Sequence, residues 1–431
     1  MHPGSQTTRH DRFFLAIIFI IISFGMILRV SKYLPGWSMR GDELSLTLNL
    51  LNRSAIDLTT KPLDYEQAAP VGFLLTVKAL ISVLGPSEYV LRLTAFISGC
   101  LSLVLMYRLL NKTSGRYGIL FSLLAFAFSY YLIYYSAELK QYSSDVLVSL
   151  VLALYFHRHI SRETIQRDFW ELGTVGTLAI IFSHPAIFMV IAMGSTLLIH
   201  YWKNKQKLIW ITLVGMVWAG TFLIIYVMLL RHQTTSEYLI TFWGNLNSYM
   251  PLRFWRNPSW FPDSMGHLFT NISGLSMGMT YILIALYIYG LWLFWKEKTW
   301  QWAAVAVLPI GINMLVSGFE KFPFHGRLIM YLLPLVFIVF AKAVDGLTSL
   351  VHNKFAASLS FIALVIVLLR PALPTAENFL FSKGYMQEDL KPVLSYIVKN
   401  SQSSDTLYLY HYASYQFSYY APQYGFEGLN I

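Results

Sequence analysis

Residues 172–202 read "LGTVGTLAIIFSHPAIFMVIAMGSTLLIHYW", 31 positions without a formal charge. One straight helix of that length would reach about 46 Å at 1.5 Å per residue. The hydrocarbon core of a bilayer is only about 30 Å thick. His184-Pro185 interrupts the stretch near its middle, and proline both lacks a backbone donor and clashes with the preceding turn. The stretch therefore predicts two short spans meeting at His184-Pro185. One crossing here instead of two would turn over everything that follows.

The rest of the composition agrees. Of 431 residues, 56% are hydrophobic and 13% charged, whereas a soluble chain carries about 25% charge. Mean hydropathy is +0.51. Further apolar segments of spanning length cover 13–30, 89–110, 117–135, 208–230, 272–295 and 299–319, with weaker ones at 142–157, 328–344 and 355–370. The net charge of +10 sits mostly between these segments: Arg9/Arg12, Arg108/Lys112/Arg116, Arg158/Arg162/Arg167, Lys203/Lys205/Lys207, Lys296/Lys298 and Lys342/Lys354. Basic connectors mark the cytoplasmic side, so the charge is topogenic and implies no nucleic-acid partner. Placing all of them on one side requires that Pro70–Gly85, which contains Lys78, does not cross; it predicts an interfacial helix.

The predicted fold is thus an all-α polytopic membrane protein of about eleven transmembrane helices. The N-terminus lies in the cytoplasm as an uncleaved anchor, and interfacial helices occupy the first external loop (31–88). A transmembrane domain at 1–370 is followed by an external tail at 371–431, where "SDTLYLYHYASYQFSYYAPQYG" (404–425) reads as a strand running into an amphipathic helix. The tail is therefore expected to be short and α/β-like, docked on the membrane part or incomplete. The single cysteine, Cys100, forms no internal disulfide.

Polar residues divide unevenly between the faces. The external side collects Arg40, Asp42, Glu43 and Glu66 in the first loop, Glu138, Lys140 and Tyr142 in the second, His184 in the third, and Lys321, His325 and Arg327 late in the chain, with Arg92 at a span end. Ionisable groups held at membrane depth are functional candidates. Carboxylates supply a general base, Arg and Lys clamp phosphate, and aromatic rings, 16% of the chain, stack on sugars or line the interface. Each has a plainer reading too. Asp42 could cap the helix that follows, Arg92 could snorkel, Glu138 and Lys140 could be a surface pair, and His184 could cap a broken helix. Glu66 and His325 are weak candidate ligands for a divalent metal, and two residues make no metal motif.

In order, the chain carries "GDE" (41–43), "YEQAAPVGFLLTVKALISVLGPSEYVLRLTAFISG" (65–99), "YYSAELKQYSSD" (134–145) and "FPFHGRLIMYLLPLVF" (322–337). This series resembles the GT-C membrane glycosyltransferases that use polyprenyl-phosphate sugars, such as dolichyl-phosphate-mannose protein mannosyltransferases and aminoarabinose lipid A transferases. The resemblance implies that Asp42 is the catalytic base, with Glu43 beside it as the lesser candidate. It matches Glu66, Glu138, Lys140, Tyr142 and Arg327 to positions around the substrates. Where the family often has Lys or a second Pro, this chain has Gln67-Ala68-Ala69-Pro70. The implied activity is transfer of a sugar from a polyprenyl-phosphate donor to a hydroxyl of a lipid, polysaccharide or protein, at the periplasmic face of a bacterial inner membrane. A lipid-glycan flippase should show paired broken helices, and the sequence offers one break. A glycan polymerase or ligase should centre on a large late loop, and here the richest loop is the first.

Overall fold

The computed structural model describes residues 9–381, 389–402, 405–410 and 413–426. Its described residues form helices and no strand. Each of the eleven predicted segments falls on a helix. The helices Gln166–Phe182 and Ala186–His200 are separate, and break at Ser183–Pro185 as the sequence suggests. By length and composition alone, five helices are long and apolar enough to cross a membrane, and up to seven if each of two bent pairs is one span. The chain is therefore a polytopic membrane protein, and the shorter helices leave the count of eleven beyond what length decides.

The core is built around Leu333–Ser349. From Leu333 to Ala341 its sequence is apolar on every side, the pattern of a helix surrounded by protein, and these residues are all buried. Two glycines let neighbouring helices close on it. A Cβ on Gly118 would lie 2.4 Å from the Ala341 carbonyl oxygen, and one on Gly290 would lie 2.3 Å from that of Val339. Small residues permit such backbone approach between membrane helices. Gly290→Ala is expected to destabilise the protein by about 1–3 kcal/mol, the usual range for overpacking, because backbone cannot swing aside. A melting curve of the purified variant in detergent checks this, and an unchanged midpoint would contradict it.

Val71–Leu84 follows Pro70, which sits at its N-cap. At 14 residues it is about 21 Å long, shorter than the roughly 30 Å of the hydrocarbon core. Phe73, Leu74 and Val77 face inward, while Val83 and Leu84 are exposed. Lys78 is not stranded in this apolar helix. Its Nζ donates to the Leu50 carbonyl at 2.6 Å, satisfying an end carbonyl of the Gly41–Asn52 helix as cations at helix C-termini do.

The tail differs from expectation. Among the described residues the tail contains helices and no strand, residues 405–410 included, so the α/β reading is not met there; alternating Leu and Tyr alone do not make a sheet. Leu394, Phe417, Tyr420 and Ala421 share one buried cluster with Met39, Leu44, Leu46, Leu50 and Leu91 of the first loop and its neighbours. Ala372–Phe381 places Ala376 against Leu28 and Ile133. The predicted residues 382–388, 403–404, 411–412 and 427–431 of the tail lie outside the described residues.

Candidate active site

The site starts from a helix N-terminus. Gly41–Asn52 begins at Arg40, and residues one apart on a helix point about 100° from each other. Asp42 and Glu43 therefore face different surroundings. The Asp42 side chain is 43% exposed, whereas Glu43 is 1% exposed.

Asp42 sits between two cations from distant parts of the chain. Lys140 Nζ donates to its Oδ1 at 2.9 Å, and Arg327 Nη2 to its Oδ2 at 2.9 Å. Burial disfavours charge on Asp42, but Lys140 and then Arg327 outweigh it and hold the carboxyl below its ordinary value. Lys140 is itself buried, and Nζ also donates to Gln67 Oε1 at 2.6 Å. Burial lowers its pKa against the pull of Asp42. Arg327 Nε donates to the Tyr142 hydroxyl at 2.9 Å. These four predicted residues thus form one constellation, which Gln67 joins.

Two features bring the pieces together. Tyr65 and Glu66 both take left-handed backbone, at φ 62° and 53°. Such conformations are costly without glycine and concentrate at functional sites; here the turn they make leads directly into Gln67. The second feature is a break at Ser129, where the Arg116–Phe128 and Tyr130–Ala137 segments meet at a 54° bend. It carries a row of tyrosines to the site. Tyr130 stacks on Tyr134 with centroids 5.7 Å apart, Tyr134 meets Tyr135 edge-on at 5.1 Å, and Tyr135 meets Tyr142 at 5.0 Å. The Arg40 guanidinium donates to the Tyr134 hydroxyl. Sequence reasoning missed Tyr130, Tyr134, Tyr135 and the role of Gln67. The i, i+4 spacing of Tyr130 and Tyr134 beside Glu138 was the available signal.

Glu43 is a structural carboxylate, which corrects its candidacy as a second base. Arg92 donates to it twice, Nε to Oε1 at 2.8 Å and Nη2 to Oε2 at 2.7 Å. The Leu139 N–H donates to Oε1 at 2.7 Å and the Arg40 N–H to Oε2 at 3.3 Å. Held by these four donors and by Glu138, and with no access to solvent, it has nothing left for a substrate. Arg92, buried at 5% exposure, likewise spends its guanidinium on Glu43 and on the Trp37 carbonyl at 2.9 Å. It does not snorkel, and it is not placed to hold a ligand. Glu43 thus ties the Glu88–Thr113 helix to the first loop through Arg92, and the second loop to it through the Leu139 N–H, next to Lys140.

Glu138 also faces inward rather than toward a substrate. It lies 3.7 Å from Lys32 and hydrogen-bonds to Glu43. Burial first, and the Glu43 charge second, push its carboxyl from 4.5 up to about 8. At neutral pH it is mainly protonated and donates. The sign of the linkage follows. Between pH 4.5 and about 8 the unfolded chain has released this proton and the folded one has not, so stability falls as pH rises through that window. Glu138→Gln should remove this slope, leaving a variant whose melting point, relative to the parent, rises across the window. Parallel curves for the two proteins would refute the assignment.

The remaining candidates stand apart from Asp42. Glu66 accepts from the Ser236 hydroxyl at 2.8 Å, and Lys321 donates to the Thr234 carbonyl at 3.1 Å; both tie down the 231–236 segment. The His184 imidazole is pushed down to about 4 by burial, and its place is the turn between two helices. His325 stacks on His267 with centroids 4.6 Å apart, and burial lowers its pKa. Among the described residues no three His, Cys, Asp or Glu side chains gather as metal ligands, so Glu66 and His325 are not joined into a metal centre.

Residues 68–227 match the family model described as dolichyl-phosphate-mannose-protein mannosyltransferase. The match includes Arg92, Lys140 and Tyr142 and leaves out Asp42 and Arg327. Among solved structures, the chain is similar to the Archaeoglobus fulgidus oligosaccharyltransferase in its apo form, with 11% identity and a TM-score of 0.57 over 99% of this chain and 61% of that one. It is similar to the same organism's oligosaccharyltransferase AglB in complex with an inhibitory peptide and a dolichol-phosphate, with 10% identity and a TM-score of 0.51 over 97% and 60%. A third likeness is to ArnT from Cupriavidus metallidurans bound to undecaprenyl phosphate, with 12% identity and a TM-score of 0.49 over 96% and 85%. The chain spans about three-fifths of the length of the oligosaccharyltransferases it matches. No curated protein matches it. The resemblance to GT-C membrane proteins read from the motifs is thus met by a family model and by the fold.

Proposed function

We propose that this protein is an inverting glycosyltransferase that moves a sugar from a polyprenyl-phosphate donor to a hydroxyl acceptor, with Asp42 as general base. The observation that carries the reading is the half-exposed carboxylate of Asp42, held at 2.9 Å by both Lys140 and Arg327. A base and two phosphate-binding cations in one place match what this transfer requires. The archaeal oligosaccharyltransferase solved with a dolichol-phosphate supports the donor class.

In the proposed reaction the acceptor oxygen attacks the anomeric carbon as its proton passes to an Asp42 oxygen. The bond from that carbon to the phosphate oxygen breaks on the opposite side, with oxocarbenium character in the transition state. Lys140 and Arg327 neutralise the leaving phosphate, Arg327 through a fork suited to it. Arrival of the donor phosphate also draws the cations away from Asp42. The carboxylate then becomes more basic only when substrate is present. The tyrosine row from Tyr130 to Tyr142 offers ring faces for the sugar.

The proposed topology has eleven crossings, the N-terminus in the cytoplasm and the site at the external face. Residues 1–370 form the membrane domain and 371–431 a tail on the same side as the site. A bacterial inner membrane is the proposed location. The test is purified protein given a radiolabelled polyprenyl-phosphate sugar. Acceptor-dependent release of polyprenyl phosphate is expected. Movement of the lipid-linked sugar across vesicles without transfer would overturn the reading in favour of a flippase.

A further inference from the structure

The segment that leads into Asp42 is fastened by the far end of the chain. The Gly36 carbonyl accepts from Lys391 Nζ at 2.9 Å. Ser38 Oγ bonds Asp389 and accepts from the Lys391 N–H at 3.2 Å. The Met39 N–H donates to the Tyr420 hydroxyl at 2.8 Å, and the Met39 carbonyl accepts from Gln416 Nε2 at 3.0 Å. Tyr420 in turn donates to Glu88 Oε1 at 2.9 Å, which also pairs with Lys391. Met39 and Tyr420 are both fully buried. From the membrane part, Arg92 holds the Trp37 carbonyl, and the Tyr33 carbonyl accepts from the Gly36 N–H at 3.3 Å.

We infer that Tyr420 and Gln416 are positioning residues, which hold Met39 so that Asp42, three residues on, meets Lys140 and Arg327. The inference rests on the function proposed above. Polar groups in a buried cluster must be paired, so both bonds to Met39 matter. A loop entering a helix has no ladder of its own to fix it; here side chains from Ser414–Tyr420 supply the missing partners. Neither residue touches a substrate. Each acts by fixing where the helix starts, and hence the direction in which its first exposed carboxylate points.

Tyr420→Phe keeps the ring in the cluster and removes only the hydroxyl. Two readouts are taken on the full chain. Amide exchange at residues 39–44 is expected to quicken about tenfold, as a local opening no longer held by that bond, with the Glu88–Thr113 helix unchanged. Under the labelled-donor assay, kcat is expected to fall about tenfold with the donor KM nearly constant, and the acid limb of the pH profile to move up as Asp42 loosens from its cations. Gln416→Ala, which frees the Met39 carbonyl instead, should do the same and serves if the first variant folds poorly. Unchanged exchange at 39–44 overturns the inference. So does faster exchange with kcat and the acid limb unmoved, or exchange that quickens equally throughout the protein. If the parent itself shows no transfer, the functional reading fails, and exchange alone then decides whether the tail fixes this segment.

Discussion

Asp42→Asn is expected to reduce acceptor-dependent transfer by about 10²–10⁴-fold, the range that general-base help contributes. Asparagine keeps the shape, and its one oxygen can accept from Lys140 or from Arg327 while its amide nitrogen faces the other cation, but it cannot take a proton. The donor KM should therefore change little, which separates this variant from loss of a binding residue. Lys140 and Arg327 are left with one carboxylate fewer between them, so repulsion between the two cations is the main structural cost. It is moderated by the partial exposure of the site. An asparagine variant retaining more than about a tenth of parental kcat would remove Asp42 from the base role. Asp42 would then be read as an N-terminal helix charge.

The second large effect is on folding. Arg92→Ala should destabilise the protein by about 3–5 kcal/mol, the penalty for leaving one partner of a buried ion pair uncompensated. Glu43 would keep the Leu139 and Arg40 amides but lose the guanidinium that stabilises its charge, with Glu138 close by. The double variant Glu43→Gln/Arg92→Met is expected to recover much of that loss, because no unpaired charge remains. Measuring the parent, Glu43→Gln, Arg92→Met and the double variant closes a double-mutant cycle. Independent, additive losses would mean that the pair does not hold the Glu88–Thr113 helix to the first loop. Activity should fall in the double variant even where stability recovers, since Lys140 reaches Asp42 only while Leu139 is anchored.

Much of this was legible beforehand, for identifiable reasons. Apolar runs and prolines write themselves into sequence locally. That is why the break at His184-Pro185 and the short helix after Pro70 were readable, and why Lys78 argued against a crossing. Sidedness puts Asp42, Lys140, Tyr142 and Arg327 among the twelve external candidates but does not single them out. What could not be read was which way a side chain turns. Nothing in "GDE" says that Glu43 points inward to Arg92, because that depends on where the Glu88–Thr113 helix lies. Glu66 and Lys321 looked like site charges because both occur in external loops, and loop membership does not tell a hinge from a ligand. The tail was misread for a similar reason. Alternation in "TLYLY" has period two, but a strand exists only if another strand lies beside it.

Asp42 and Arg327 are separated by 285 positions. A ribosome adding about 5–20 residues per second needs on the order of tens of seconds to cover that distance. Throughout that time the nascent polypeptide already displays its carboxylate but lacks the guanidinium that completes the proposed centre. On the proposed reading, an early fragment released by stalling or proteolysis is expected not to turn over lipid-linked sugar. Biosynthesis would then withhold the proposed activity until nearly every helix has been made.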